Sequence, residues 1–284
     1  MDEHDLIAQL ESVLSEGTRK FRGIAASVLN DPEAFIRGSN SETCERLDAS
    51  EPTLIRFCQA FGYRGTSEFR IDLALAHARD RRGLSAVEPL HQDRRLVNVA
   101  QKMAIADAAA QRVSSDRHLL IDSGSTAEIF ARALCNSPGK TIMTASLMVA
   151  QILMDQGQHD VLLTGGRIRS EARSLTGQLI PQSLSEFHFD TFVMGADCAD
   201  PGSGLSTFDE DEAVVTRALM GSARRVNGLM DQSKFGEARL HKVCKFDALD
   251  CLITDLAETS QITSELRQSG ANVVLVKPAL SASQ

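Results

Sequence analysis

Several features are absent from the 284-residue sequence, and each absence excludes a class of protein. No stretch approaches the roughly 18 consecutive apolar residues of a membrane-spanning helix. The opening residues, MDEHDLIAQLESVL, are acidic and have neither the basic start nor the apolar run of a signal peptide. There is no internal repeat and no low-complexity tract. With 43% hydrophobic and 24% charged residues, the composition is that of a soluble globular protein, long enough for two domains.

Paired cysteines are absent as well. The six cysteines are scattered, with no CxxC motif and no cysteine–histidine spacing of the kind found in zinc sites. This distribution favours free thiols in a reducing cytoplasm over disulfides. We therefore expect a cytoplasmic protein without a metal or a cofactor.

A strong positive charge is also missing. The net charge is −8, which argues against a general polyanion binder. Residues 17–82 contain 11 Arg and Lys against 9 Asp and Glu, so this segment is +2 and the rest of the chain is −10. This charge difference has the direction expected for an amino-terminal DNA-binding domain, but it is too small to establish DNA binding by itself.

Helical periodicity dominates the first 80 residues. An Asp31-Pro32 pair is expected to end the first helix. The segment after the last helix is charged and contains Gly83 and Pro89, and we interpret it as an interdomain linker. The predicted helices span 6–29, 41–47, 51–61 and 66–80, within an all-α domain of residues 1–78 followed by a linker at 79–96.

The helices at 41–47 and 51–61 have the spacing of a helix-turn-helix, since only three residues separate them. Ser50 stands at the N-cap of the second helix, where its hydroxyl is expected to accept from the Thr53 amide. Pro52 suits the first turn, and Gly62 suits a left-handed helix end. A plain helical bundle has the same pattern, and this alternative stays open on the pattern alone.

In a helix-turn-helix the second helix enters the major groove, and its first residues contact base edges. Leu54, Phe57, Cys58 and Phe61 share a face, so the other side of the helix is left for DNA. Residues just after the helix suit phosphate contacts. The candidate DNA-binding residues are Ser50, Glu51, Thr53, Arg56, Arg64, Thr66 and Ser67.

After residue 96 short apolar runs alternate with helical stretches, which predicts a mainly parallel sheet covered by helices on both faces. Ligands of such sheets bind at the carboxyl ends of the strands. The predicted strands are 118–122, 141–145, 160–166, 191–197, 225–231, 251–255 and 272–278, in an α/β domain of residues 97–280.

Polar and glycine-rich segments follow several of these strands. The DSGST turn runs into a helix and offers N–H and O–H donors to a phosphate, although many tight turns look alike. The GGR, GAD, GLST and DQSK segments add close backbone approach, hydroxyls, a carboxylate and cations. Together they favour a small anionic ligand. The candidate residues are Asp122, Ser123, Gly124, Ser125, Thr126, Gly165, Gly166, Arg167, Asp197 and Lys234.

The inventory leaves an enzyme open. A phosphosugar isomerase or deaminase needs a carboxylate base and a proton donor. Asp197, Glu212 and Lys234 are residues of the required types. A sensor that acts through protein contacts, without DNA, is the third alternative.

The amino-terminal residues resemble the helix-turn-helix domain of the RpiR family of sugar-phosphate regulators. The resemblance rests on S-x-x-T-x-x-R-F followed by G-[YF]-x-G-x-x-E-F. The matching residues are Ser50, Thr53, Arg56, Phe57, Gly62, Tyr63, Gly65, Glu68 and Phe69. Asp48 and Pro52 stand where that family usually has Gly and Ala, and Asp tolerates the left-handed geometry of the turn.

Residues 93–255 resemble the carboxy-terminal sugar-binding domain of the DeoR family. The signatures are KMAIADAAAQRV, IDSGST, VLLTGGRIRSEARSLTG, FVMGAD, GLST and DQSKFG, in order. The resemblance implies a fold of the ribose-5-phosphate isomerase and glucosamine-6-phosphate deaminase group. It also implies that residues 123–126 bind phosphate and that Asp122, Asp197 and Lys234 lie near the sugar.

The two resemblances imply one function, although each family normally carries a different partner domain. We expect a DNA-binding repressor of a carbohydrate-utilisation operon, controlled by a phosphorylated sugar. The expected partners are a double-stranded DNA operator, the sugar phosphate and further copies of the chain, as a dimer or tetramer. This function disfavours the enzyme alternative.

Overall fold

The computed structural model describes residues 6–80 and 91–278, and it divides into two units. The amino-terminal unit is Met1–Val97 and the carboxy-terminal unit is Asn98–Gln284. The central part of the predicted linker, 81–90, lies outside the described residues. Its last part, 91–96, is a helix that packs within the amino-terminal unit.

The described part of the amino-terminal unit is helical, as predicted. Its helices are α1 (Leu6–Glu16), α2 (Arg19–Asn30), α3 (Pro32–Arg37), α4 (Asn40–Leu47), α5 (Glu51–Ala60), α6 (Thr66–Asp80) and α7 (His91–Leu96).

The first helices differ from the prediction in two places. The expected single helix over 6–29 is wrong, because Thr18 caps a new helix by accepting from the Phe21 amide. Asp31-Pro32 ends α2 but also begins α3, since the Asp31 carboxylate accepts from the Ala34 amide at 2.9 Å and Pro32 occupies the first turn.

Aromatic rings form the centre of this unit. Phe35, Phe57 and Phe69 are completely buried, and the Phe69 ring contacts both of the others edge to face. Phe57 lies on α5 and Phe69 on α6, so these contacts hold the second helix of the pair against the rest of the unit.

All seven predicted strands of the carboxy-terminal unit form one parallel sheet, which confirms the predicted architecture. The strands are β1 (His118–Ile121), β2 (Thr141–Thr144), β3 (Asp160–Leu163), β6 (Phe189–Met194), β9 (Ala223–Leu229), β11 (Cys251–Thr254) and β12 (Val273–Leu275). Their order across the sheet is β12-β11-β9-β6-β1-β2-β3. Since every pair is parallel, the carboxyl ends of all seven strands lie along one edge.

Helices cover both faces of the sheet, and the sheet lies between two core clusters. One cluster contains residues of α8 to α10, and the other contains residues of α11 to α13. The helices are α8 (Val99–Arg112), α9 (Ser125–Ala133), α10 (Leu147–Gln156), α11 (Leu179–Leu184), α12 (Glu210–Gly221) and α13 (Gln261–Gln268). Among the described residues, no helix has the length and apolar character needed to cross a membrane.

Two small antiparallel sheets were not expected. A hairpin is formed by β4 (Arg167–Arg169) and β5 (Ser174–Thr176), and β7 (Cys198–Asp200), β8 (Gly204–Thr207) and β10 (His241–Cys244) form a three-stranded sheet. The interpretation of GLST as a ligand-facing loop is therefore wrong. It is β8, which is entirely buried, and its Gly204 is required because a Cβ there would lie 2.3 Å from the Cys244 carbonyl oxygen.

Candidate functional sites

The α4–turn–α5 segment has the predicted helix-turn-helix geometry. Asp48 ends α4 in the left-handed conformation, at φ 45°, which confirms that Asp is tolerated at this turn. Ser39 and Glu42 form a capping box at the start of α4. Gly62 has a φ of +87°, as expected for a residue that follows a helix end.

Ser50 is the N-cap of α5, but its side chain does not bond as expected. The Thr53 amide donates to the Ser50 carbonyl oxygen at 2.9 Å, and the two hydroxyls of Ser50 and Thr53 are bonded to each other at 2.9 Å. The predicted bond from the Thr53 amide to the Ser50 hydroxyl is therefore wrong, because the first turn of α5 already uses that amide.

The exposed side of α5 carries most of the predicted DNA-binding residues. Ser50, Glu51 and Arg56 are exposed, and Thr53 is half-buried. The Glu51 carboxylate accepts from the Asn40 side-chain amide at 2.7 Å, which holds it against α4. Arg64, after the helix, has a side chain that is 82% exposed.

Two residues predicted to hold phosphate lie in less open positions. Thr66, the first residue of α6, is buried. Ser67 is half-buried, and its hydroxyl donates to Asp93 Oδ1 at 2.7 Å. These two residues differ in this respect from Arg56 and Arg64, which are exposed.

A buried arginine that the sequence analysis did not single out supports this surface. Arg70 is 2% exposed, donates to the Phe35 carbonyl oxygen at 3.1 Å and lies 3.5 Å from the Asp93 carboxylate. Its second terminal nitrogen is 3.5 Å from the hydroxyl of Thr43 on α4. Arg70 thus connects α3, α4, α6 and α7 and fixes the position of the helix pair.

In the carboxy-terminal unit, the DSGST turn joins β1 to α9. Gly124 has φ +113° and ψ 162°, a conformation that glycine adopts readily and other residues rarely do. A Cβ at this position would meet no atom within 4 Å. No side chain caps α9, and Ser125 and Thr126 at its start are buried. The amino terminus of α9 is thus an uncapped set of N–H donors.

Asp122 lies at the centre of a cluster of carboxylates. It is 6% exposed and accepts from the backbone amides of Ser123, at 2.8 Å, and Gly195. Burial raises the pKa of Asp122 to about 8, and the nearby carboxylates of Glu212 and Asp197 add to the rise. At neutral pH the Asp122 carboxyl group is therefore largely protonated and able to donate a hydrogen bond.

Asp197 follows β6 and is held by β8. Its Oδ2 accepts from the Thr207 hydroxyl at 2.6 Å and from the Phe208 amide at 3.2 Å. The sheet order places β6 beside β1, so the predicted residues Asp122 and Asp197 lie together.

The cation beside this cluster is Arg169, whereas the sequence analysis named Arg167. Arg167 is 79% exposed and pairs with Asp211 at 3.1 Å. Arg169 is 14% exposed, and its Nη1 lies 3.3 Å from both Glu212 Oε2 and Asp209 Oδ1. The alternation along β4 puts Arg167 and Arg169 on one side of the strand, so the sequence pattern does not distinguish the two arginines.

The Gly165-Gly166 pair shapes the turn from β3 to β4. Both residues have positive φ, at +74° and +119°. A Cβ on Gly166 would lie 2.5 Å from the carbonyl oxygen of Thr176, so this glycine permits a close approach to β5.

Lys234 follows β9, at the same edge of the sheet. It ends a short 3₁₀ helix, Gln232–Lys234, and its amide donates to the Asp231 carbonyl oxygen at 3.0 Å. Lys234 is half-buried.

Comparison with known proteins agrees with the motifs. Residues 97–256 match the DeoR C terminal sensor domain, and residues 4–80 match the helix-turn-helix domain of the rpiR family. A putative aga operon transcriptional repressor of Escherichia coli O157:H7 is 33% identical over 191 residues, which are 67% of this chain and 71% of that protein. The glycerol-3-phosphate regulon repressor of Escherichia coli K12 is 30% identical over 171 residues, 60% of this chain and 68% of that protein. Both resemblances drawn from the sequence are confirmed.

Among solved structures, ribose 5-phosphate isomerase A from Methanocaldococcus jannaschii aligns with a TM-score of 0.36 and 18% identity. The alignment covers 48% of this chain and 53% of that chain.

Proposed function

Since the chain belongs to the DeoR family, through its sensor domain, we propose that it represses a carbohydrate-utilisation operon and that a phosphorylated sugar controls its binding to DNA. It is a transcription regulator, as are its relatives, and not an enzyme. The two units have different functions, since the amino-terminal unit contains the helix-turn-helix domain and the carboxy-terminal unit contains the sensor domain.

The observation that carries the sensor proposal is the uncapped start of α9 beside Asp122. The N–H groups of Ser125 and Thr126, with their hydroxyls, are donors suited to a phosphate group, and the helix dipole favours its charge. Gly124 leaves room for such a group, since a side chain there would meet nothing within 4 Å.

The carboxylates beside the turn suit the rest of a sugar. Protonated Asp122 donates a hydrogen bond without repelling an anion, and ionised carboxylates accept from hydroxyl groups. Asp197 is held by Thr207 and Phe208, so its orientation is set before a ligand arrives. Lys234 lies at the same edge of the sheet, where we expect it to provide a cation. Arg167 is exposed and pairs with Asp211, so Arg169 is the arginine better placed beside the cluster, and Gly165 and Gly166 shape the turn that leads to both arginines.

On the DNA side, Arg56 and the first turn of α5 face solvent and are proposed to enter the major groove. Ser50, Glu51 and Thr53 lie on the first turn, where base contacts are made, and Arg64, Thr66 and Ser67 follow the helix toward the phosphate backbone. The burial of Thr66 and the bond from Ser67 to Asp93 make Arg64 the strongest phosphate ligand of the three.

Regulation of this kind needs more than one copy of the chain. Paired helix-turn-helix domains read half-sites one helical turn apart, so we propose a dimer or a tetramer. We propose a cytoplasmic location, because a DNA operator is found there. The six free cysteines are compatible with that reducing compartment.

Two assays test the proposal. Thermal shift across a panel of phosphorylated and unphosphorylated sugars should show stabilisation by at least one phosphorylated member, since a ligand that binds only the folded state raises its melting temperature. A footprint on the promoter region of its own gene should show a protected segment that changes with that sugar phosphate. No protected segment, or stabilisation by unphosphorylated sugars alone, would contradict the proposal.

A substitution in the sensor separates its role from DNA binding. Lys234→Ala should leave operator affinity without sugar unchanged and reduce the response to the sugar phosphate, because it removes a cation from the proposed sugar-phosphate site. Lys245→Ala, at an exposed lysine elsewhere in the unit, is the matched control and should respond as the wild type does. Equal loss of DNA and sugar binding in Lys234→Ala would assign Lys234 a structural role instead.

A further inference from the structure

Asn98 is the first residue of the carboxy-terminal unit and directly follows the last residue of the amino-terminal unit. It has a left-handed backbone, with φ 54° and ψ 37°, and it stands at the N-cap of α8. An N-cap asparagine ordinarily accepts from an amide of its own helix, but no such bond is present here. The Asn98 side chain bonds instead to a residue outside α8.

The Asn98 side-chain amide donates to Asp231 Oδ1 at 3.0 Å, across 133 positions of the sequence. Asp231 is 1% exposed and follows β9 at the carboxyl edge of the sheet. The same Oδ1 accepts from the amide and the hydroxyl of Ser233, so Asp231 caps the 3₁₀ helix that ends at Lys234. One oxygen atom therefore joins the start of α8 to the loop that carries Lys234.

A second hydrogen bond connects this loop to the sheet. The Gln232 amide donates to Asp255 Oδ1 at 2.6 Å, which holds the loop to the end of β11. The second oxygen of Asp231 is buried and has no hydrogen-bond partner among the described residues. Because a buried carboxylate oxygen without a donor is costly, a small displacement of the loop that provides one would be favoured.

The helix that begins at Asn98 also contacts the other side of the proposed pocket. α8 packs against α9, whose first residues form the proposed phosphate turn, and against β9 and β11. A ligand held by the start of α9 and by Lys234 would therefore lie between two elements that meet α8, namely α9 at its packed face and, through Asp231, the N-cap residue Asn98.

We propose that the Asn98–Asp231 hydrogen bond transmits occupancy of the sugar-phosphate site to the segment of chain that leads to the DNA-binding helices. Lys234 moves toward the phosphate, the Asp231 cap moves with it, and Asn98 changes its left-handed backbone or loses the bond. Either change alters the direction in which the chain leaves the carboxy-terminal unit at Asn98. The inference rests on the proposed function, and it assigns Asn98 and Asp231 as positioning residues that do not touch the sugar.

The decisive variant is Asn98→Gly, since glycine keeps the left-handed backbone without strain and removes only the donor. Amide hydrogen exchange is measured on the full chain, without ligand and with glycerol 3-phosphate, ribose 5-phosphate, fructose 6-phosphate or glucosamine 6-phosphate. Without any ligand, Asn98→Gly should raise exchange in residues 231–235. With the bound probe, the wild type should change exchange in residues 97–102, and Asn98→Gly should not.

Operator binding gives the second readout. Asn98→Gly should keep the affinity for the bound probe and the probe-free operator affinity within about twofold of wild type. The factor by which the probe changes operator affinity should fall about three- to tenfold, the loss expected for one hydrogen bond. Asp231→Asn keeps an acceptor for Asn98 and should retain most of the response.

Asn272→Ala is the matched control. The Asn272 side-chain amide also makes one long-range bond, to the Asp250 carbonyl oxygen at 2.7 Å, but at the amino end of the sheet. This variant should respond as the wild type does.

The outcomes separate the two proposals. If neither the four probes nor any phosphorylated sugar of the thermal-shift panel binds the wild type, the proposed function fails and the inference with it. If a probe binds and alters operator affinity, but Asn98→Gly leaves both the exchange and the coupling factor unchanged, the inference alone is overturned. Equal loss of coupling in Asn272→Ala would also overturn it, since the effect would then be general destabilisation.

Discussion

At the residue scale, Asp122 has the most altered chemistry in the proposed sensor site. Its carboxyl group is buried beside Glu212 and Asp197, and its pKa is raised to about 8. The proton that it holds at neutral pH makes a donor out of a group that is ordinarily an acceptor. A proton on Asp122 removes one negative charge from the proposed site, which suits the anionic ligand that we propose.

The raised pKa of Asp122 predicts a pH dependence of stability. The folded protein holds a proton on Asp122 that the unfolded chain, with a pKa of 3.8, has released, so the free energy of unfolding falls as the pH rises from about 4 to about 8. The slope is at most about 1.4 kcal/mol per pH unit. Asp122→Asn removes this proton, so its melting temperature relative to wild type should rise between pH 5 and pH 8, as measured by circular dichroism.

Asp190 is a control of opposite sign. Burial tends to raise its pKa, but the amides of His118 and Arg117 donate to its carboxylate and the net pKa is lowered. Its stabilising contribution is present above the unfolded pKa and is lost as the pH falls through the folded one. Asp190→Asn should therefore be destabilised at neutral pH and approach wild type in acid. A pH-independent difference for Asp122→Asn would refute the assignment of its proton.

Arg56 is the exposed cation of the proposed recognition helix, and Arg56→Ala should weaken operator binding. A base contact would cost about 1–3 kcal/mol and relax sequence preference, whereas a phosphate contact would weaken all sequences alike and reduce the salt dependence. Binding to the operator and to a scrambled duplex, measured at several salt concentrations, distinguishes these roles. Affinity for the sugar phosphate should not change.

Arg37→Ala is the matched control for Arg56→Ala, because Arg37 is an exposed arginine of the same unit that pairs with Glu33 on α3. It should bind the operator as the wild type does. Unchanged operator binding by Arg56→Ala would remove Arg56 from the interface.

At the scale of elements, the helix-turn-helix depends on a buried ion pair outside it. Arg70 on α6 and Asp93 on α7 are 2% and 4% exposed in their side chains, and Arg70 also reaches the Phe35 carbonyl oxygen and the Thr43 hydroxyl. Removing one partner of a buried ion pair destabilises a protein far more than replacing both partners by apolar residues, because the remaining charge is left buried and unpaired.

This asymmetry predicts a rescue. Arg70→Met should lower the free energy of unfolding of the amino-terminal unit by about 3–5 kcal/mol, because the Asp93 carboxylate is left buried without its cation. The double variant Arg70→Met/Asp93→Leu should recover most of the loss. Denaturant titration measures both, and a double variant that is no more stable than Arg70→Met would show that the pair is not coupled.

At the scale of the whole molecule, the two units have separate cores. One buried cluster consists of residues between Leu6 and Ala74, and the other two consist of residues between Ile105 and Ala271. Each unit thus buries its own apolar surface, which is the physical requirement for independent folding.

We therefore expect the fragment Asn98–Gln284 to fold by itself. Its affinity for the sugar phosphate should stay within about threefold of the full chain, because the proposed ligand contacts all lie in this unit. It should not bind the operator. Circular dichroism and calorimetric titration measure folding and binding, and a fragment that is unfolded or does not bind would contradict the separation of the two units.

Sequence pattern by itself determined the seven parallel strands, the helices on both faces, and the helix pair with its left-handed Asp48 and Gly62. These features depend on local periodicity and on residues within a few positions of each other. The prediction from local pattern was wrong at Ser50, because both the carbonyl oxygen and the hydroxyl of Ser50 lie within reach of the Thr53 amide and the pattern does not distinguish them. It also failed at GLST, where a four-residue strand has too few positions to show alternation.

Only the tertiary structure decided which distant side chains meet. The sheet order places β1 beside β6, so Asp122 lies near Asp197. Burial in the folded chain raises the pKa of Asp122, and the carboxylates of Glu212 and Asp197 add to the rise. Arg169 lies beside Glu212 at the start of the hairpin that β4 forms with β5, a contact between distant residues that no local pattern predicts. Asn98 and Asp231 are 133 residues apart, and their bond depends on how the start of α8 lies on the end of β9. The DSGST turn that marks the sensor was readable from its residues, but the protonated carboxyl group beside it exists only in the folded chain.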